Sequence, residues 1–159
     1  MQNTIKNSLE SRKLKFQTLV NNPIQTVYKL GIGLDHGRID SIVDLRVEQA
    51  QVIIYSICPT NVPQNQKQRI TELITRINVS SIVGNFSLDY DDGEVRYKCA
   101  YLFDDTFPNS ESLFMDNYLI SIQMMNRYLP AIMSVLYSNV TPLQAYNQIE
   151  NQSPDPTMN

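Results

Sequence analysis

A nucleophile or general base needs a thiol, an imidazole or a perturbed carboxylate held in a pocket. This chain has few to offer: one histidine, His36, and two cysteines, Cys58 and Cys99. His36 stands between Asp35 and Gly37 in a segment of turn composition, so ordinary turn chemistry accounts for it. Each cysteine sits inside an apolar, strand-like run, where a reduced thiol behaves as a small hydrophobe. One imidazole with two separated thiols makes a poor zinc set. The acidic cluster Asp89-Tyr90-Asp91-Asp92-Gly93-Glu94 lacks the ligand spacing and distal glutamate of a calcium loop, and reads as a hairpin turn. Gly31 and Gly33 form a GxG, but His36 holds the place of the third glycine and a hairpin follows, so the pair punctuates a strand. These residues point to no catalytic role, no cofactor and no metal.

The elements that carry them belong to a chain of 159 residues, enough for one domain with a full hydrophobic core. A single domain over 1–150 is expected, followed by a polar, proline-containing tail over 151–159 that should be disordered. The net charge of −3 and the pI near 5.1 supply no basic footprint, which argues against nucleic acid as a partner. The segment beginning MQNTIKNSLESRK has no apolar signal region, and no run of about 18 uncharged apolar residues occurs, so a cytoplasmic protein without a membrane span is expected.

Periodicity predicts an opening helix over 5–20, from Ile5, Leu9, Phe16, Leu19 and Val20 on one face. Alternation at Tyr28, Leu30, Ile32 and Leu34, and again at Val43, Leu45 and Val47, predicts two strands around the Asp35-His36-Gly37-Arg38 turn. The run from Val52 to Cys58 is apolar on both faces and reads as a central strand. Pro63 suits a first helical turn, and Ile70, Leu73, Ile74 and Ile77 then keep helical spacing to a helix end near Asn78. Phe86, Leu88 and Tyr90 alternate before the Asp91-Asp92-Gly93 turn, and Val95, Tyr97, Cys99, Tyr101 and Phe103 resume the alternation. The segment DDTFPNSE links this hairpin to a long apolar helix over about 112–138. Thr141-Pro142-Leu143-Gln144 reads as the capping box of a short last helix. The expected fold is α+β, in the order α-β-β-β-α-β-β-α-α, with an antiparallel sheet of about five strands covered by helices on one face.

The long helix carries apolar side chains around more than the stripe that one sheet face requires. Its first half is therefore the expected protein-binding surface, formed by Leu113, Phe114, Tyr118, Ile120, Met124 and Met125. Methionines suit such a surface because unbranched thioethers adapt to irregular partners. Pro130 should bend the second half.

The segments PTNVPQNQKQRITELITRIN, VGNFSLDYDDGEVRYKCAYLF and MMNRYLPAIMSVLY resemble, in sequence and in order, the YbjN family. The marks of that resemblance are Asn78, Gly84, Phe86, Asp92-Gly93 and Arg127-Tyr128-Leu129-Pro130. Family members are described as candidate bacterial sensory transduction regulators, with a domain similar to type III secretion chaperones. The resemblance implies a helix-sheet-helix fold, a bacterial cytoplasmic protein and a chaperone-like or regulatory binding role without a cofactor. One departure is the absence of tryptophan, since many relatives carry an aromatic residue, often Trp, in the second strand. The expected function is a non-enzymatic protein-binding module acting as a homodimer, with no nucleic acid or membrane partner. The alternative is a small-ligand-sensing regulator with a pocket between helix and sheet.

Overall fold

The computed structural model describes residues 1–104, 106 and 110–151. Helix α1 (Gln2–Ser11) is followed by four strands, β1 (Phe16–Asn21), β2 (Gln25–Leu34), β3 (Gly37–Arg46) and β4 (Gln51–Ile57). A short 3-10 turn (Gln64–Gln66) leads into α2 (Lys67–Ser80), then β5 (Asn85–Leu88), β6 (Val95–Leu102), α3 (Ser110–Tyr137) and α4 (Pro142–Glu150). The six strands form one sheet in the order β1-β2-β3-β4-β6-β5, antiparallel throughout. The α+β class and the helix-covered antiparallel sheet agree with the sequence; the strand count is six. The expected disordered tail, and part of the DDTFPNSE linker, lie outside the described residues.

The extra strand is the correction to the predicted 5–20 helix. Helix α1 stops at Ser11, and Lys13 turns the chain with a positive φ of 57°. Phe16, Leu19 and Val20 fit helical spacing, but β2 offers this segment a ladder, and Phe16 packs edge-on against Tyr28 with ring centroids 4.9 Å apart. Pairing along a neighbouring strand outweighs a weak amphipathic pattern. Pro63 likewise precedes the 3-10 turn rather than opening α2.

Strand register sets the core. Tyr28, Val43, Ile54 and Cys99 stand opposite one another across β2, β3, β4 and β6, and Leu30, Ser41, Ser56, Tyr97 and Phe86 form the next row. Side chains alternate between faces along a strand, so these rows share one face, and all nine residues are buried. Helix α3 crosses β4 and β6 on this face, α2 lies against β5, and α4 bridges α2 and α3. A buried hydrogen bond of 2.8 Å between the hydroxyls of Ser56 and Ser121 fixes α3 over β4. The opposite face is more polar, with a Lys29–Asp40 ion pair at 2.8 Å and Asp44 held by Gln25 and Arg46 at 2.8 and 3.1 Å.

Three turns follow the sequence closely. Asp35 and His36 form the two-residue loop between paired Leu34 and Gly37, which leaves His36 exposed. Gly93, at φ +82°, closes the acidic hairpin, and a Cβ there would stand 2.3 Å from the Val62 carbonyl oxygen. Two carboxylates of that turn are occupied locally: Asp89 accepts from the Asp91 N–H at 3.0 Å and Asp92 from the Glu94 N–H at 2.8 Å. At the start of α4 both halves of the Thr141/Gln144 capping box form.

Candidate functional site

The predicted binding residues separate into two groups. Phe114 and Met125 are fully buried and Tyr118 is 1 % exposed, all three within the hydrophobic core. Phe114 stacks on Tyr118 at 5.8 Å. These three are core side chains, a correction to their reading as surface. A 28-residue helix crossing a sheet and touching α1, α2 and α4 has more than one face to bury, so a wide apolar stripe does not mean an open one. Leu113 is exposed on the first turn of α3. Ile120 and Met124 are different: both line a cleft of about 370 Å³.

The cleft is built where the β5 end of the sheet meets the helices. Ile120, Met124, Arg127 and Tyr128 come from α3, Ser80 to Val83 from the end of α2 and the loop beyond it, Tyr97 from β6, and Glu150 from the last position of α4. Residues 120, 124, 127 and 128 repeat at helical spacing, so one stripe of α3 forms the wall. Gly84 fixes the loop, since its φ is +73° and a Cβ would stand 2.6 Å from the Lys98 carbonyl oxygen. Asn78 anchors the loop from the other side: its amide donates to the Phe86 carbonyl at 2.9 Å and its oxygen accepts the Phe86 N–H at 2.8 Å. The side chain thus occupies both backbone groups that Phe86 presents on the outer edge of β5.

One end of the cleft is polar and internally neutralised. The Tyr128 hydroxyl donates to Glu150 Oε1 at 2.6 Å, and Arg127 reaches the same oxygen at 3.2 Å. Burial, then the bond to Glu150, raises the Tyr128 pKa above its ordinary value. The Tyr97 hydroxyl donates to the Val83 carbonyl. Burial pushes Tyr97 up to about 12, with Cys99 adding to the rise and Ser81 partly opposing it. Both phenols are therefore held protonated, and the one carboxylate is committed to two donors. The other end is apolar, and it continues onto the surface at Ile82, which is 98 % exposed.

Cys58 and Cys99 are free, buried thiols with pKa values raised by burial, Cys99 to about 11, which keeps them as inert apolar groups. Among the described residues, no group of three His, Cys, Asp or Glu side chains is placed to hold a metal ion, and no helix is long and apolar enough to cross a membrane. Periodicity misses the loop over 81–84, which forms no element of its own. Its signal is the apolar pair Ile82 and Val83 outside any strand pattern.

The fold has a counterpart among solved structures, the crystal structure of YbjN from E. coli, which is described as a candidate transcription regulator. The chain has the YbjN fold. The TM-score is 0.55 with 14 % identity, over 79 % of this chain and 88 % of that one. No family model matches the sequence, and no curated protein matches it. The family-like Asn78, Gly84 and Arg127-Tyr128 of the sequence all border the cleft or hold its walls.

Proposed function

We propose that this chain is a non-enzymatic regulatory protein, chaperone-like in its mode of action, that works as a homodimer and docks a short apolar segment of a partner protein in the cleft. The observation that carries this reading is the exposed loop beyond α2: Ile82 lines the cleft with Ile120 and Met124, yet is 98 % exposed. A small molecule enclosed by the cleft would leave most of the Ile82 side chain uncovered, whereas a polypeptide laid across the mouth would bury it. The polar end favours an uncharged occupant, because Arg127 and Glu150 already neutralise each other. The protonated phenols and the committed carboxylate offer no free base, which supports binding over catalysis. The regulator description of YbjN is consistent with such a role.

A display library of short peptides, panned on the wild type and counter-panned on Met124→Glu, tests the proposal. Recovery of an apolar, uncharged consensus that only the wild type binds is the expected outcome; no sequence preference overturns it. Small-ligand sensing is the second reading, supported by the cleft volume of about 370 Å³, within the roughly 300–1,000 Å³ of small-molecule sites. It predicts thermal stabilisation by uncharged amphiphiles such as 1-octanol that survives Ile82→Glu.

A further inference from the structure

The sheet has two ends, and only one is closed. At β5, Asn78 occupies the outward N–H and C=O of Phe86, and α2 lies alongside. At β1, Gln17, Thr18, Leu19 and Asn21 are exposed, and no strand lies beyond it among the described residues. An open edge is a template for another strand, and proteins guard it with charge, proline, a bulge or a covering element. Strand β1, FQTLVN, carries no charge and no proline. Its one irregularity is a register shift between Thr18 and Val20, which leaves the Leu19 side chain 48 % exposed.

We infer that β1 pairs antiparallel with the β1 of a second copy of this chain, about a two-fold axis at Leu19, so that one sheet runs through both. The occupant is a second copy because β1 is self-compatible in charge. In such pairing no charged residue of either strand faces another, and the two exposed Leu19 side chains approach across the axis. The nearest cation, Lys15, stands just before β1. About the two-fold axis it falls opposite Pro23 of the other copy, so the two lysines are roughly 27 Å apart at about 3.4 Å per residue. That exceeds the screening length of about 8 Å at physiological salt. A parallel arrangement would instead set the lysines side by side. The inference gives the proposed homodimer its interface and leaves the cleft, at the opposite end of the sheet, free in both copies.

Light scattering of the full chain over a concentration series tests the pairing. The wild type is expected at twice the 18.3 kDa chain mass, and Leu19→Lys and Leu19→Glu are each expected as folded monomers by circular dichroism. Mixing the two variants should restore the dimer, because opposite charges then meet across the axis; a variant that misfolds would fail to do so. Ile82→Glu should leave the dimer intact. A monomeric wild type, dimers of either single variant, or a mixture that stays monomeric overturns the inference. So does dissociation by Ile82→Glu, which would place the dimer contact at the cleft. Loss of peptide binding in Ile82→Glu with the dimer retained separates the fate of the cleft reading from that of the edge.

Discussion

The β5 end of the sheet and the β1 end are built from the same kind of antiparallel ladder, yet they are finished in opposite ways. At β5 a four-residue strand is held between β6 and the amide of Asn78, Gly84 lets the backbone pass within reach of Lys98 and Cys99, and Phe86, Tyr97 and Tyr128 pack edge to face. At β1 a longer strand has one neighbour and mostly exposed side chains. The difference teaches that order is concentrated where the cleft is. A cleft wall made from a loop needs rigid support on both sides, and Asn78 and Gly84 supply it. The open edge has no such wall to hold, and its exposed backbone is available for association.

Changes at the β5 end should therefore cost more than changes at β1. The largest effect is expected from Gly84→Ala, which places a Cβ against the Lys98 carbonyl at a positive φ. Denaturant unfolding should show a loss of about 3 kcal/mol, and a loss below about 1 kcal/mol would show that the loop is not held there.

Next comes alkaline stability. Tyr97 at the cleft and Tyr118 in the core are each pushed up to about 12, chiefly by burial. For Tyr118 the nearby Ser41 partly opposes the rise, although neither hydroxyl has a hydrogen-bond partner of good geometry among the described residues. A raised folded pKa means that the unfolded chain loses these protons first. The stabilisation is complete below pH 10 and falls as pH rises from 10 towards 12, by roughly 2–3 kcal/mol for each phenol. Tyr97→Phe should flatten part of that decline in a pH series of unfolding midpoints. An unchanged slope would mean that Tyr97 ionises freely in the folded protein.

The smallest of the three is Asn78→Ala. Water can reach the Phe86 groups once the amide is gone, so the expected loss is about 1–2 kcal/mol. Faster amide hydrogen exchange at Phe86 should accompany it. Protection equal to that of the wild type would mean that α2 alone closes this edge and that the two ends differ less in how they are closed.

Much of this was readable from residue types. The Asp91-Asp92-Gly93 hairpin, the Thr141/Gln144 capping box and the 28-residue α3 follow from local chemistry, and the structure has each of them. Strand β1 was not readable, because Phe16, Leu19 and Val20 satisfy helical spacing and the ladder that overrides it lies in β2. The lining of the candidate cleft was half legible. Ile120 and Met124 were found from the helix pattern, but so were Phe114, Tyr118 and Met125, which the core claims. Spacing along a helix gives the breadth of its apolar surface, whereas which part stays open depends on how α1, α2 and α4 pack around it. Glu150, a full element away from Arg127, could be joined to it only by the fold.

The proposed docking of a partner segment rests on Ile82 more than on any other residue. The most direct measurement is fluorescence anisotropy of a labelled peptide selected on the wild-type protein, titrated with wild type and with Ile82→Glu. Because Ile82 is almost wholly exposed, the substitution should leave the unfolding midpoint unchanged while weakening the peptide Kd at least tenfold, about 1.4 kcal/mol. Equal affinity of the two proteins for the peptide would contradict the account.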